Sequence, residues 1–275
     1  MSDLDLRQAA ARFTRAANPD FGQTSADYAR YRAGFPQELF DRLATGFGIG
    51  QPGQRCLDLG TGTGTVARQL ARRGCTVTAI DISEAQVAQA RLLDAEAGVT
   101  VDYHLAPAEA TGLPPASFDI VTAGQCWHWF DAERACAEVR RVLVPGGILV
   151  ICSFDWLPLP GTVVEATEHV IAAHNPAWEL AGGPGLHPRF AWDVAVGGFT
   201  GIETFSFDVD VPYSHEAWRG RIRASAGVGA SLAPDAVARF DADHAAMLRA
   251  RFPQDPLAAP HRVWALVCRA PNSTD

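Results

Sequence analysis

Three closely spaced glycines constrain the fold of this chain more than any other feature of its sequence. The residues from Leu57 to Gly64 read LDLGTGTG, and they follow a short apolar run and precede a segment with helical periodicity. Glycines at 60, 62 and 64 allow a tight turn and let a ligand lie against bare main chain. The helix that follows directs unsatisfied N–H groups and the positive end of its dipole toward the turn. The pattern predicts a strand–turn–helix unit that holds a nucleotide-like ligand.

Short apolar runs then alternate with helix-period segments as far as Phe154. This alternation is typical of βαβ units and a parallel sheet. Ser83 followed by Gln86 is a capping-box pattern after the second strand, and Gly98 stands where the next helix should stop. The predicted strands of this part are RCLDL, TVTAID, TVDYHL, FDIVTAG and GILVICSF.

The segments before and after this regular part differ in character. Residues 1–50 are predicted to form an N-terminal helical lead-in, and residues 51–154 to form the ligand-binding core. Residues 155–275 are interpreted as the remainder of the same α/β domain, which ends in the strands IETFSFDVDV and HRVWALVCRA. Helical insertions at about 155–188 and 213–252 are expected to cap the active site.

The composition argues against a nucleic-acid or membrane partner. The 275 residues carry a formal net charge of −8, whereas proteins that bind a phosphate backbone usually present a basic face. The six cysteines show no CxxC spacing, so neither a disulfide framework nor a metal site is expected. The first residues lack a signal pattern, and no apolar run approaches the roughly 20 residues needed to span a bilayer. We therefore expect a cytoplasmic protein, monomer or homodimer, with a small-molecule substrate.

Two carboxylates distinguish between the ligands that such a turn can hold. Asp81 ends the second strand, 21 positions after Gly60, where an acid can accept hydrogen bonds from both ribose hydroxyls. A dinucleotide fingerprint requires a glycine where this chain has Thr65. Asp58 repels a pyrophosphate and attracts an ammonium group. S-adenosylmethionine carries that ammonium and has no phosphate, but a nicotinamide-dependent oxidoreductase stays the alternative.

The ordered motifs DLGTGTG, AID, FDIV and LVPGG resemble those of class I S-adenosylmethionine-dependent methyltransferases over roughly residues 28–154. Three further motifs are similar to the branch that contains trans-aconitate methyltransferases and related small-molecule enzymes: YARYRAGFP from Tyr28, the pair Ala108 and Glu109, and QCWHWFD. The resemblance implies a Rossmann-like sheet of seven strands in the order 3-2-1-4-5-7-6, with an antiparallel last strand and helices on both faces. It also implies methylation of a small molecule.

The resemblance implies which residues bind the cofactor. The glycine turn and Asp58 would hold the methionine end, and Asp81 the ribose. Ile82 would pack on adenine. Side chains of the lead-in would close over the ligand, or serve only in packing. The full set of implied cofactor contacts is Tyr28, Arg32, Asp58, Gly60, Thr61, Gly62, Asp81, Ile82, Ala108, Glu109, Gly124 and Gln125.

The segment QCWHWFD follows the fourth strand, where open α/β sheets bind their ligands. His128 is the candidate catalytic residue, either as a general base for a hydroxyl nucleophile or as a donor that orients it. It is also compatible with a packed histidine. Trp127 and Trp129 are candidate substrate contacts, although one of the two is expected to belong to the core.

The segment YSHEAWRGRIRAS supplies further candidate substrate contacts: His215, Trp218, Arg219 and Arg223. On a helix, the histidine and the two arginines are four positions apart and share a face that could meet an anionic substrate or be solvated. A carboxylate is ionised at neutral pH and needs no base, so the expected acceptor is an oxygen nucleophile, carboxylate or hydroxyl. A non-catalytic or atypical S-adenosylmethionine-binding protein stays a further alternative.

Overall fold

A computed structural model describes residue 31 and residues 33–178, 181–225, 227–229 and 231–272 of the chain. Its strands are β1 (Arg55–Leu59), β2 (Thr76–Asp81), β3 (Asp102–Leu105), β4 (Phe118–Gly124), β5 (Leu143–Trp156), β6 (Thr200–Tyr213) and β7 (Leu257–Arg269). Its α-helices are α1 (Gln37–Phe47), α2 (Thr65–Arg72), α3 (Glu84–Ala97), α4 (Ala132–Val142), α5 (Val163–His174), α6 (Pro188–Val196), α7 (His215–Arg223) and α8 (Pro234–Arg251). A short 3-10 helix spans Trp127–Trp129.

The strands form one sheet in the order β3-β2-β1-β4-β5-β7-β6. The first five strands pair in parallel, and β7 runs antiparallel to both β5 and β6. This topology confirms the Rossmann-like sheet that the sequence predicts. Since the parallel strands share a direction, β1, β2 and β4 all end at the same edge of the sheet.

The central strands are apolar because helices cover both faces of the sheet. Alternate residues of β5 enter two separate cores. On one face Val150 packs with Phe40 of α1 and Leu70 of α2. On the other face Leu149 joins Val139 of α4 and the buried residues of α6. The sheet is thereby held rigidly between two layers, which fixes the strand ends.

The local stop and start signals act as predicted. The Ser83 hydroxyl accepts a hydrogen bond from the Gln86 amide at the start of α3, and Gly98 takes the left-handed conformation at its end. β5 begins at Leu143, earlier than the sequence predicts, because Leu143 already pairs with Phe118 across a register shift.

Helices α5, α7 and α8 build a third core at the C-terminal part of the chain. Trp218 and Ile222 of α7, Phe240 and Leu248 of α8, and Val164 of α5 are all fully buried in it. This core adjoins β6 and β7 rather than the glycine turn. The limits of the predicted domains and cap insertions stay predictions.

The described residues contain neither a membrane-spanning helix nor a cluster of metal-binding side chains. No helix there combines the length and the apolar character needed to cross a membrane. No group of three or more His, Cys, Asp or Glu side chains there is arranged to hold a metal ion. All six cysteines are buried and free of disulfides, as expected for thiols that serve as small apolar side chains.

Candidate functional site

The glycine turn connects β1 to α2 at the edge where the parallel strands end. Gly60, Gly62 and Gly64 have φ angles of 53°, 55° and 78°, a region that side chains with a Cβ rarely adopt. The Thr61 amide donates to the Ile80 carbonyl at 2.9 Å, which ties the turn to β2. The sequence-predicted strand–turn–helix unit is therefore present, and its amides are ordered.

The three glycines are required for different reasons. A Cβ at Gly60 would lie 2.9 Å from the Cβ of Cys126, and a Cβ at Gly64 would lie 2.5 Å from the Tyr103 hydroxyl oxygen. A Cβ at Gly62 would meet no atom within 4 Å. Gly62 thus exposes main chain to open space, while its neighbours are tightly packed. This is the point of the turn at which a ligand can approach the backbone.

Asp81 fixes that exposed stretch of main chain. Its Oδ2 accepts a hydrogen bond from the Gly62 amide at 2.8 Å, and its Oδ1 accepts one from the Ser83 amide at 2.9 Å. The next residue, Ile82, is 70% exposed although it is apolar. A carboxylate and an exposed apolar side chain therefore follow each other at the end of β2, beside the open face of the turn.

Asp58 lies beneath the turn rather than in the open space above it. It is buried, and its two oxygens accept hydrogen bonds from the hydroxyls of Thr61 and Thr122, each at 2.6 Å. Burial raises the pKa of this carboxyl to about 6, although both hydroxyls stabilise the charged form. The carboxylate braces the turn from within the core. Its charge, placed directly under Thr61, acts on whatever occupies the turn.

The adenine-edge candidates lie after β3. Ala108 is buried. The side chain of Glu109 is turned toward α4, where its Oε1 accepts a hydrogen bond from the Asp131 amide at 2.8 Å. Glu109 therefore stabilises the start of a helix through Oε1.

Gly124 is the last residue of β4, and Gln125 follows it next to the turn. A Cβ at Gly124 would lie 2.7 Å from Cγ2 of Val66, so this glycine is explained by packing against α2. Gln125 has a φ of 62°, a strained conformation of the kind that clusters at functional sites. Its side-chain amide donates to Oδ1 of Asp155 at 3.2 Å, and this bond connects the end of β4 to the end of β5.

The tryptophan pair divides as the sequence predicts, with one member in the core. Trp127 is 2% exposed, and its Nε1 donates to Asp193 of α6 at 3.4 Å. It therefore belongs to the core instead of making the expected substrate contact. His128 is exposed, and its ring lies 4.6 Å from that of Trp129, which is 36% exposed. His128 and Trp129 stay accessible after β4.

The expected cationic substrate face on α7 is also corrected. Arg219 and Arg223 both form ion pairs with Asp241 of α8 and with Glu216 of their own helix. The common face that the sequence predicts exists, but acids already neutralise it. These two arginines hold α7 against α8.

The two remaining candidates on α7 are likewise engaged in the fold. Nε2 of His215 lies 2.9 Å from the carbonyl oxygens of both Phe252 and Gln254. Trp218 is fully buried, and its Nε1 donates to the Thr167 hydroxyl at 3.0 Å. The predicted contacts from Tyr28 and Arg32 lie outside the described residues.

Sequence reasoning missed a second set of polar residues at the strand ends. Asp155 near the end of β5 pairs with His187, whose Nε2 lies 2.8 Å from Oδ2. The guanidinium of Arg221 lies 4.8 Å from the ring centroid of Trp156. The sequence spacing could have revealed the different role of Arg221. It stands two positions from each of the paired arginines and therefore lies on the opposite side of the helix.

The part of the chain that contains this site is similar to known methyltransferases. Residues 57–151 match the family model described as a methyltransferase domain. An uncharacterized methyltransferase of Mycobacterium tuberculosis is 39% identical over 129 residues, which are 47% of this chain and 49% of that protein. A ubiquinone biosynthesis O-methyltransferase of Pseudomonas aeruginosa is 36% identical over 111 residues, 40% of this chain and 48% of that protein. The chain spans about half the length of the curated relatives it matches.

The fold is similar over nearly the whole chain. A solved structure assigned as a type II methyltransferase, from Anaeromyxobacter dehalogenans, superimposes with a TM-score of 0.60 at 26% identity. The match covers 89% of this chain and 100% of that one. The family match contains the glycine turn and the ends of β2 and β4, whereas α5 to α8 lie after it.

Proposed function

We propose that this chain transfers a methyl group from S-adenosylmethionine to an oxygen atom of a small-molecule acceptor, a hydroxyl or a carboxylate. One observation carries the proposal: the bare main chain at Gly62 faces open space, is fixed by the strand-end acid Asp81, and lies above the buried carboxylate of Asp58. The methyltransferase-domain match over residues 57–151 covers all three residues.

The residues present fit this cofactor. When bound, S-adenosylmethionine supplies a methyl group on a positively charged sulfur, together with an amino acid end and an adenosine. The open space at Gly62 leaves room for the ligand against the main chain. Asp81, at the end of β2 and bonded to the Gly62 amide, is the proposed acceptor for the ribose hydroxyls. Ile82 offers an exposed apolar side chain for the adenine ring. The negative charge of Asp58 favours a cationic ligand over a diphosphate.

The same charge counts against a nicotinamide-dependent oxidoreductase. A dinucleotide would place its pyrophosphate at the N-terminus of α2, directly over Asp58. The third glycine of the dinucleotide fingerprint is replaced by Thr65, which begins α2.

The protein's part in the reaction is chiefly to position the reactants. Methyl transfer requires the nucleophile in line with the bond that breaks, and well-oriented intramolecular reactions gain roughly 7–11 kcal/mol. The strained Gln125 directly follows β4, and Trp129 lies in the short helix after it. In this proposal the acceptor approaches beside these two residues. For a hydroxyl acceptor, we propose that His128 takes or orients the proton, whereas a carboxylate needs no base.

Calorimetry on the full chain tests the proposal directly. S-adenosylmethionine and S-adenosylhomocysteine should bind, and NAD and NADP should not. Production of S-adenosylhomocysteine is then measured with matched acceptors that offer a hydroxyl, a carboxyl, an amine or a thiol. Binding of NAD without S-adenosylmethionine would overturn the cofactor assignment. Turnover restricted to amines or thiols would overturn the oxygen acceptor alone.

A further inference from the structure

Arg221 faces the interior, away from the other two arginines of α7. It lies about 200° around the helix from both Arg219 and Arg223, since each residue turns the helix by about 100°. On its side of the helix, Trp218 and Ile222 are fully buried. The guanidinium lies over the ring of Trp156, 4.8 Å from its centroid, in a cation–π arrangement that holds its plane.

This guanidinium has no ion pair among the residues that the structure describes. The two other arginines of α7 are each paired with two acids, so the contrast lies within a single helix. Burial lowers the pKa of Arg221, while Tyr213 and Asp155 favour its charged form. Asp155 is an acid whose charge acts on Arg221, and its oxygens already accept from Gln125 and pair with His187. Arg221 also has a side-chain hydrogen bond to Tyr213, which is a neutral partner. A shielded cation without an ion pair costs stability, and a ligand of opposite charge would offset that cost.

The position of Arg221 connects it to the cofactor site. Trp156, which it covers, is the last residue of β5. The preceding Asp155 is hydrogen-bonded to Gln125, the first residue after β4. The next residue, Cys126, packs against Gly60 of the turn. A continuous path of contacts therefore leads from the glycine turn to the guanidinium, along the edge where an acceptor must lie.

We infer that Arg221 is the binding site for a carboxylate on the methyl acceptor, an inference that rests on the proposed function. A guanidinium binds a planar carboxylate through two parallel hydrogen bonds. A monoanion balances the single charge of Arg221, whereas a phosphate dianion would be repelled by Asp155. The guanidinium engages one lone pair on each oxygen of the anchored carboxylate and holds that group at α7. In this inference the anchored carboxylate orients the molecule, the methyl group goes to a different oxygen of it, and Arg221 is a specificity-determining residue.

Small anions test the site without knowledge of the acceptor. Acetate and formate are titrated against the full chain at constant ionic strength, with and without S-adenosylhomocysteine. Acetamide and formamide serve as neutral controls, and inorganic phosphate as the competing anion. Arg221→Gln is compared with Arg219→Gln, which changes a paired arginine on the outer face of the same helix. Binding is read from the shift in melting temperature.

The expected results distinguish an arginine that binds a ligand from one that only stabilises the fold. Acetate should raise the melting temperature of the wild type and of Arg219→Gln, and Arg221→Gln should weaken acetate binding on the order of 10- to 100-fold. Without ligand, Arg221→Gln should melt no lower than the wild type, because a shielded charge without an ion pair has been removed. A structural arginine would instead give a lower melting temperature.

Five results would overturn the inference: no acetate or formate binding, equal binding of acid and amide, phosphate binding alone, acetate binding that survives Arg221→Gln, or a lower melting temperature of Arg221→Gln without ligand. Binding of S-adenosylhomocysteine is measured on the same samples. If the protein binds S-adenosylhomocysteine but not acetate, only the Arg221 site is rejected. If it does not bind S-adenosylhomocysteine, the proposed function is rejected, and the acetate titration without S-adenosylhomocysteine still tests the Arg221 site.

Discussion

Replacement of Asp58 by asparagine should strengthen the free fold and weaken cofactor binding. The pKa of Asp58 lies at about 6 instead of 3.8, because the carboxyl is buried. The difference of about 2 units corresponds to about 3 kcal/mol, which the folded chain loses when Asp58 is ionised. The neutral amide of Asp58→Asn would avoid this cost but weaken the hydrogen bonds from Thr61 and Thr122, at about 1 kcal/mol. We expect a net gain of about 2 kcal/mol in the free energy of unfolding at pH 8.

The sign of this effect depends on pH in a defined way. Asp58 binds its proton more tightly in the folded state than in the unfolded chain. The cost of ionising it therefore vanishes below about pH 4, grows between about pH 4 and 6, and is constant above that range. The stability advantage of Asp58→Asn should follow the same course in urea or thermal unfolding.

Cofactor binding should change in the opposite direction. A cation held above the turn recovers part of the cost of ionising Asp58, up to the same 3 kcal/mol or so, which is about 100-fold in affinity. Asp58→Asn should therefore bind S-adenosylmethionine up to about 100-fold more weakly at pH 8. In the wild type the affinity should fall as the pH drops below about 6, and in the variant it should not.

Calorimetry and unfolding on the same samples check both effects, with Asp119→Asn as the matched control. Asp119 lies at the opposite end of β4, where it pairs with Arg55 and its pKa is lowered. The control should leave S-adenosylmethionine binding unchanged. Equal affinity of the wild type and Asp58→Asn at pH 8, or a less stable free Asp58→Asn, would refute the electrostatic reasoning.

Two further predictions use matched pairs of variants. Gly62→Ala and Gly98→Ala each place a Cβ in open space, at φ angles of 55° and 66°, so both variants should lose about 1–2 kcal/mol of stability. Only Gly62→Ala should lose S-adenosylmethionine binding. Equal binding by both variants would contradict the proposal that the ligand lies against the open face of the turn. Ile82→Ser and Leu92→Ser change side chains that are 70% and 61% exposed, so neither should shift the melting temperature much, and only Ile82→Ser should weaken S-adenosylmethionine binding in calorimetry. Unchanged binding by Ile82→Ser would remove its proposed contact with adenine.

The cofactor half of the site could be predicted because its constraints are local. Gly60, Gly62 and Gly64 are each fixed by a positive φ within one short turn, and Asp81 by the length of the following unit. The sequence signal for such a turn is complete within about 25 residues. The sheet order followed from the same ordered motifs.

The acceptor half could not be predicted to the same degree because its partners are distant in sequence. The spacing of Arg219 and Arg223 gave their common face, but not that Asp241, on another helix, would neutralise it. The burial of Trp127 depends likewise on Asp193, 66 positions further on. Periodicity assigns a side chain to a side of its helix, and only the packing of helices decides which side meets the ligand.

The ion pairs on the outer side of α7 have an evolutionary consequence. They set the rotation of the helix through Asp241 of α8, whichever side chain stands at position 221. A substitution at position 221 alters the charge that the acceptor meets, but it changes neither the rotation of α7 nor the structure of the glycine turn. Relatives with an arginine, a glutamine or a leucine at this position could thus accept acidic, polar or apolar molecules on one unchanged scaffold, each a single codon step from the next.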